Sequence, residues 1–172
     1  ALYRRYSDDI LVICNPVHAA AAESKIMDLI KAEKLEISPH KTERNEFASG
    51  SAAVTGKAAQ YLGFVFHEMG PTIRESSLAR QWRKMRRAMR RTRKIAIRQI
   101  AAGKSTKAHT KRLYRRFTHL KVRDRAGLRI VRNFSSYGRR SAEAFGGDEK
   151  ISQQIRRFEQ ATLREIEKIK QI

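Results

Sequence analysis

Asp8 and Asp9 are adjacent carboxylates placed between Leu2-Tyr3-Arg4-Arg5-Tyr6-Ser7 and the apolar run Ile10-Leu11-Val12-Ile13-Cys14. A run rich in Ile and Val is a strand signal, and one without polar alternation suggests a strand covered on both faces. The two acids therefore read as a pair held at the tip of a β-hairpin on a rigid mount. Hard dications take oxygen ligands, usually one or two carboxylates plus the phosphates of a substrate, so Mg²⁺ suits this pair better than zinc. Neighbouring strand residues point to opposite faces, and the two acids share a direction only where the turn breaks that alternation. The expectation is one primary ligand and one helper. Ser and Asp are also ordinary turn formers, so the weight of Tyr6-Ser7-Asp8-Asp9 depends on the residues downstream of it.

The elements that must position this pair come next in the chain. Asn15-Pro16 is a helix start, with Asn as cap and Pro at the first helical position. Ala19, Ala22, Ile26, Leu29 and Ile30 then mark one apolar face of a helix over about 16–34. Leu35-Glu36-Ile37 alternates and stops at Ser38-Pro39, which predicts a short strand delivering Lys41 into a loop or strand edge. Residues 47–57 are rich in Gly, Ser and Ala, and Tyr61 to Phe66 have the aromatic and β-branched content of a strand.

Gly70-Pro71 punctuates the chain, and beyond it the hydrophobic period becomes helical. Leu78, Trp82, Met85, Met89 and Ile100 form one stripe of a long helix that Gly103 ends. Ser105 is placed to cap a second helix carrying Leu113, Phe117 and Leu120, and shorter elements with turns surround Gly127 and residues 134–147. Asp148 caps a last helix in which Ile151, Ile155, Phe158, Thr162, Ile166 and Ile169 repeat at helical spacing. The fold class expected is α+β, with a sheet-bearing domain over residues 1–70 and an all-α basic domain over residues 71–172.

With 172 residues and 41% hydrophobic content the chain can build a core. Its net charge of +21 is unevenly spread. Residues 1–70 hold 8 Lys and Arg against 9 Asp and Glu, whereas residues 71–172 hold 30 against 8. Arg83, Lys84, Arg86, Arg87, Arg90, Arg91, Arg93 and Lys94 crowd one helix, and like charges at these spacings repel unless an anion neutralises them. Nucleic acid is the obvious anion, bound through its phosphates without any base being read. A single cysteine excludes an intrachain disulfide, and the five histidines lack the paired spacing of a structural zinc site. No apolar stretch is long enough to span a bilayer, and no signal peptide precedes the first strand. A cytoplasmic location fits this balance. The chain opens without Met and runs straight into a strand, which leads us to expect that the beginning of a parent protein is missing.

The order is a carboxylate hairpin, an amphipathic helix, a Pro-x-Lys-Thr segment and a Tyr-Leu-Gly-Phe segment, followed by basic helices. In this order the chain resembles the reverse transcriptases. Tyr6-Ser7-Asp8-Asp9 is similar to the Tyr-x-Asp-Asp motif of their palm, residues 35–43 to the lysine motif that comes after it, and Tyr61-Leu62-Gly63-Phe64 to the hairpin known as the primer grip. The likeness covers residues 1 to about 70, and the basic remainder is similar to the thumb in position and character. Arg5 to Ile10 look closest to the non-retroviral enzymes, which include retron, group II intron and phage-defence reverse transcriptases.

The resemblance implies transfer of a nucleotidyl group from a dNTP to a primer 3′-hydroxyl with two Mg²⁺ ions. Asp8 would be the direct metal ligand and Asp9 its support. Tyr6 would lie near the primer end or the incoming nucleotide, Lys41 would protonate or steady the departing pyrophosphate, and Tyr61, Leu62, Gly63 and Phe64 would brace the primer, Gly63 by permitting close backbone approach. Template or noncoding RNA, DNA product and dNTPs would be the partners, and oligomers are open. The defence-associated branch suits the serine variant and the basic tail. One departure is large: the aspartate of the earlier palm motif and the fingers are not in these residues, so the parent chain or another chain would supply them, and these residues alone should not incorporate dNTPs. The rival readings are a palm-like binding module without chemistry and a polymerase that makes RNA from RNA.

Overall fold

In the computed structural model of the chain, the residues described are 1–47, 54–55, 58–67, 70–104, 110–124 and 127–172. The fold is mixed α+β with small antiparallel sheets, and the chain divides into two compact units, Ala1–Met69 and Gly70–Ile172.

The first unit opens with β1 (Leu2–Tyr6) and β2 (Asp9–Ile13), paired antiparallel from Leu2 opposite Ile13 to Tyr6 opposite Asp9. Ser7 and Asp8 make the loop. Two-residue hairpin loops need positive φ to match the right-handed twist of the strands, and Ser7 supplies it at φ +56°. Ile10 to Ile13 of the apolar run lie in β2, but the strand is not covered on both faces: the sheet has two strands, Leu11 and Val12 are half-buried, and Ile13 is 54% exposed.

Asn15 caps as expected, its side chain accepting from the Val17 N–H at 3.1 Å. The first turn, Pro16–His18, is 3₁₀, and α1 (Ala19–Ala32) follows. Its end departs from the expectation for Leu35-Glu36-Ile37. Leu35 donates to the Ile30 carbonyl at 3.1 Å and Lys34 to that of Lys31 at 2.9 Å, with Lys34 at φ +56°. This is a Schellman closure, and it turns the chain out of the helix with a non-glycine residue in the left-handed region. Residues 35–37 have no ladder partner among the described residues, so no strand is formed there. Lys41 instead ends a 3₁₀ turn, Pro39–Lys41.

Farther on, β3 (Glu46–Phe47) pairs with β4 (Val54–Thr55), and β5 (Ala59–Tyr61) with β6 (Phe64–His67). Most of the small-residue stretch between 47 and 57 lies outside the described residues.

The second unit consists of β7 (Gly70–Ile73), α2 (Glu75–Ala101), α3 (Thr110–Phe117), β8 (Lys121–Asp124), β9 (Gly127–Ile130), α4 (Phe134–Ala144) and α5 (Glu149–Lys170). The cap expected at Ser105 lies outside the described residues. Gly103, at φ +67°, closes α2 as expected, with Lys104 donating to the Gln99 carbonyl at 3.0 Å.

Helix α5 is the hub. Asp148 caps it, accepting from the Ile151 N–H at 2.9 Å, and Ile151, Ile155, Phe158, Thr162, Ile166 and Ile169 are all buried. Met85 and Met89 of α2 and Leu113 and Phe117 of α3 pack with Phe158, Ile166 and Ile169 in one cluster. Phe158 takes Trp82, Phe134 and Phe117 edge-on, at 5.3, 5.7 and 6.5 Å between ring centroids, the geometry aromatic quadrupoles favour. The expected stripe of α2 fades toward its end, where Ile100 is exposed while Ala96 is buried.

Polar groups fix the joints. The Gln154 amide accepts from the Ile73 N–H at 2.8 Å and donates to the Ile73 carbonyl at 3.3 Å, standing in for a strand partner. A Cβ on Gly138 of α4 would lie 2.3 Å from Ile155 Cδ1, so the absence of a side chain there lets α4 close on α5.

Candidate catalytic hairpin and nucleic-acid interface

The carboxylate pair lies where the motif places it. Asp8 occupies the loop, outside the ladder, and Asp9 opens β2 opposite Tyr6. The turn therefore breaks the strand alternation at Asp8, the condition for two neighbouring acids to serve one region of space. Both are exposed, and neither has an ion-pair or hydrogen-bond partner among the described residues. The tip is pinned from behind: the Arg5 guanidinium donates to the Ser7 carbonyl at 2.9 Å. Ser7 is held at a φ that costs a side-chain-bearing residue about a kilocalorie per mole or more, and such outliers cluster at sites where the backbone is fixed for a purpose.

As a donor set the pair suits a hard dication, because both groups are carboxylates and neither is paired among the described residues. Among the described residues no group of three or more His, Cys, Asp or Glu gathers to hold an ion. Two carboxylates can thus contribute to a two-ion site without completing it.

Lys41 is exposed and its side chain has no partner among the described residues. Its position is set by the turn, where its N–H donates to the Ser38 carbonyl at 3.1 Å and the Thr42 hydroxyl donates to the same oxygen at 3.1 Å.

Tyr61 to Phe64 form a hairpin tip, with Tyr61 opposite Phe64 across Leu62-Gly63. Leu62 is at φ +47° and Gly63 at φ +84°, the two positive values of a type I′ turn. Phe64 is buried, Tyr61 half-buried and Leu62 exposed at the turn. A Cβ on Gly63 would meet nothing within 4 Å, so the glycine serves the turn and no described part of this chain approaches it closely.

In the second unit, Arg83, Lys84, Arg86, Arg87, Arg90, Arg91, Arg93 and Lys94 are all exposed on α2, and none has a carboxylate partner among the described residues. Glu75 is the one acid of that helix. Met85 and Met89 are core residues, as expected; Trp82 is half-buried, with the Arg86 guanidinium 5.6 Å above its ring and a shallow groove formed with Ala79 and Arg83. On α3, Lys111, Arg112, Arg115 and Arg116 are exposed as well. Lys170 at the end of α5 is held above its ordinary pKa by the Tyr114 hydroxyl and then by Glu167.

Sequence reasoning missed the β8–β9 ribbon, seen only as turns around Gly127. The signal was a cation alternating with an aliphatic on both sides of Gly127, in Lys121-Val122-Arg123 and Leu128-Arg129-Ile130. Among the described residues, no helix is long and apolar enough to cross a membrane. No protein-family model matches the chain and no curated protein matches it in sequence, so the functional reading stands on the residues and their placement.

Proposed function

We propose that the chain carries the catalytic hairpin of an RNA-directed DNA polymerase of the non-retroviral reverse transcriptase kind, followed by a basic helical thumb that grips nucleic acid. The observation that carries this reading is the tip of β1–β2. There the Tyr-Ser-Asp-Asp motif presents two exposed carboxylates, without partners among the described residues, on a turn pinned by Arg5 and held at positive φ.

In this reading Asp8 binds Mg²⁺ directly and Asp9 supports it, and a further carboxylate from outside these residues completes the site. Bound Mg²⁺ supplies activation of the primer 3′-hydroxyl and neutralisation of the pyrophosphate. Lys41, free and exposed, meets the departing pyrophosphate as a mobile ammonium. Tyr6 faces the primer end or the incoming nucleotide. The Tyr61–Phe64 hairpin braces the primer with the exposed Leu62 edge, anchored by buried Phe64. The cations of α2 neutralise phosphates of the template–primer, which removes the mutual repulsion they otherwise suffer. A noncoding RNA is a partner of the same chemistry, and a phage-defence setting in the cytoplasm suits the whole.

Replacing Asp8 with Asn in the full-length protein tests the reading. Primer extension with dNTPs should fall by roughly 10³-fold, the scale of several kilocalories per mole of lost transition-state stabilisation, while RNA binding survives. Synthesis at the native rate, or a native protein that prefers NTPs, would overturn it. The 172 residues alone should bind nucleic acid and extend no primer.

A further inference from the structure

The β8–β9 ribbon lies outside the residues assigned to the polymerase reading, and its register sorts its side chains between two faces. Directly opposed residues share a face, so the register places Lys121 with Ile130 and Arg123 with Leu128 on one face. All four are exposed, Leu128 at 67% and Ile130 at 47%. The cations both belong to β8 and the aliphatics both to β9. The face is thus a cationic edge running alongside an apolar edge.

An isolated two-stranded ribbon is marginal in water, yet this one is clamped at its root. Val131 donates to the Leu120 carbonyl at 2.9 Å. Before β8, the His119 N–H donates to the carboxylate of Glu159, a buried residue of α5 that also accepts from Arg139. After β9, Asn133 donates to the carbonyls of Thr118 at 2.7 Å and Arg115 at 2.9 Å. Polar groups withdrawn from water cost free energy unless they are bonded, so these bonds hold the root in one arrangement. Here they fix the direction in which an exposed ribbon leaves the helical core.

We propose that the β8–β9 ribbon is a second nucleic-acid contact that lies on the groove of an A-form duplex, Lys121 and Arg123 on the phosphate rim and Leu128 and Ile130 against the sugars. The proposal rests on reading the basic helical unit as a nucleic-acid grip. A cationic edge beside an apolar one matches the border between a phosphate chain and the wide, shallow minor groove of A-form helices, including RNA–DNA hybrids. A single strand offers no such paired border. A membrane-inserting loop would carry its apolar residues at the end of the hairpin, whereas the sequence joining these strands is Arg125-Ala126 and the aliphatics run along β9.

The test compares three variants of the whole chain, binding a blunt RNA–DNA hybrid and its separate strands at several salt concentrations. Lys121→Ala/Arg123→Ala should weaken hybrid binding roughly three- to tenfold and lower the salt slope by about one to two. Leu128→Thr/Ile130→Thr, which keeps β propensity, should weaken hybrid binding by roughly the same factor, with the salt slope and single-strand binding unchanged. Arg83→Gln/Arg87→Gln/Arg90→Gln should weaken both ligands. The proposal falls if both ribbon variants bind hybrid as the native chain does while the α2 variant loses binding, a result that leaves the grip itself standing. If the native chain binds no hybrid, the grip falls and the ribbon contact with it. A threonine variant that alters self-association in sedimentation, or binding to anionic phospholipid vesicles, with hybrid affinity intact would assign the face to another partner and overturn the proposal. Unchanged thermal melting separates a lost contact from a lost fold.

Discussion

The two units of this chain treat their apolar residues in opposite ways. In the second unit twelve core hydrophobics are buried among the described residues, and the cations described stand outside them. In the first, Phe64 is the one buried residue among those described, while Val17 is 83% and Leu29 59% exposed. Burial of apolar surface is the main favourable term in folding, at roughly 25 cal/mol per Å². The second unit therefore carries its own stability. The first is a set of hairpins and one helix whose local geometry is well specified by turns and caps but whose apolar face is uncovered, and patches of that kind mark surfaces meant to be covered.

The contrast is most exposed to challenge at Phe158. It is fully buried and takes three aromatic rings edge-on, so Phe158→Ala should cost about 3–5 kcal/mol. Leu29→Ala in the first unit should change stability by no more than about 0.5 kcal/mol. Urea unfolding followed by far-ultraviolet circular dichroism measures both, and a large loss at Leu29 would mean that the first unit has a core after all.

Charge gives the next largest effect. Arg83→Gln/Arg87→Gln/Arg90→Gln removes three exposed cations of α2 that have no carboxylate partner among the described residues. At physiological salt this should weaken nucleic-acid binding roughly a hundredfold, because each phosphate contact contributes nearly one unit of salt slope. Thermal melting should hold or rise, since neighbouring like charges are being relieved. Loss of stability together with binding would show that these arginines serve the core.

A smaller effect is expected where α4 meets α5. A side chain on Gly138 would meet the end of Ile155, and Gly138→Ala should cost about 1–3 kcal/mol as Ile155 is pushed from its rotamer. Unfolding midpoints of this variant, of Ile155→Ala, which removes both the Cδ1 and the Cγ1 atom in the way, and of the double variant form a cycle that checks the cause.

Features built from adjacent residues could be read directly from the sequence. The α5 core face and its Asp148 cap follow one uninterrupted period, and the carboxylate tip is four consecutive residues. The reading of Leu35-Glu36-Ile37 as a strand failed because three alternating residues fit an extended segment equally well, and the Schellman closure at Lys34 uses no glycine to announce it. The β8–β9 ribbon was missed because period two is read from a buried face, and this ribbon's cationic–aliphatic face is exposed. Gly63 carries the positive φ of a two-residue turn, which reading Tyr61 to Phe66 as one strand did not include.

The smallest effect lies at Ser7 and is the most specific to the first unit. A positive φ at the first central position of a two-residue hairpin loop is where glycine is favoured, and Ser7 sits there at +56°. Ser7→Gly removes the steric cost but frees the unfolded chain, so the net gain should be about 0.5 kcal/mol or less. Amide exchange of β1 and β2 should slow slightly or stay the same, and the second unit's melting should not move. Should exchange instead accelerate severalfold, the serine side chain itself would be holding the turn, and the tip that presents Asp8 and Asp9 would owe its shape to that hydroxyl rather than to Arg5 and the strand register.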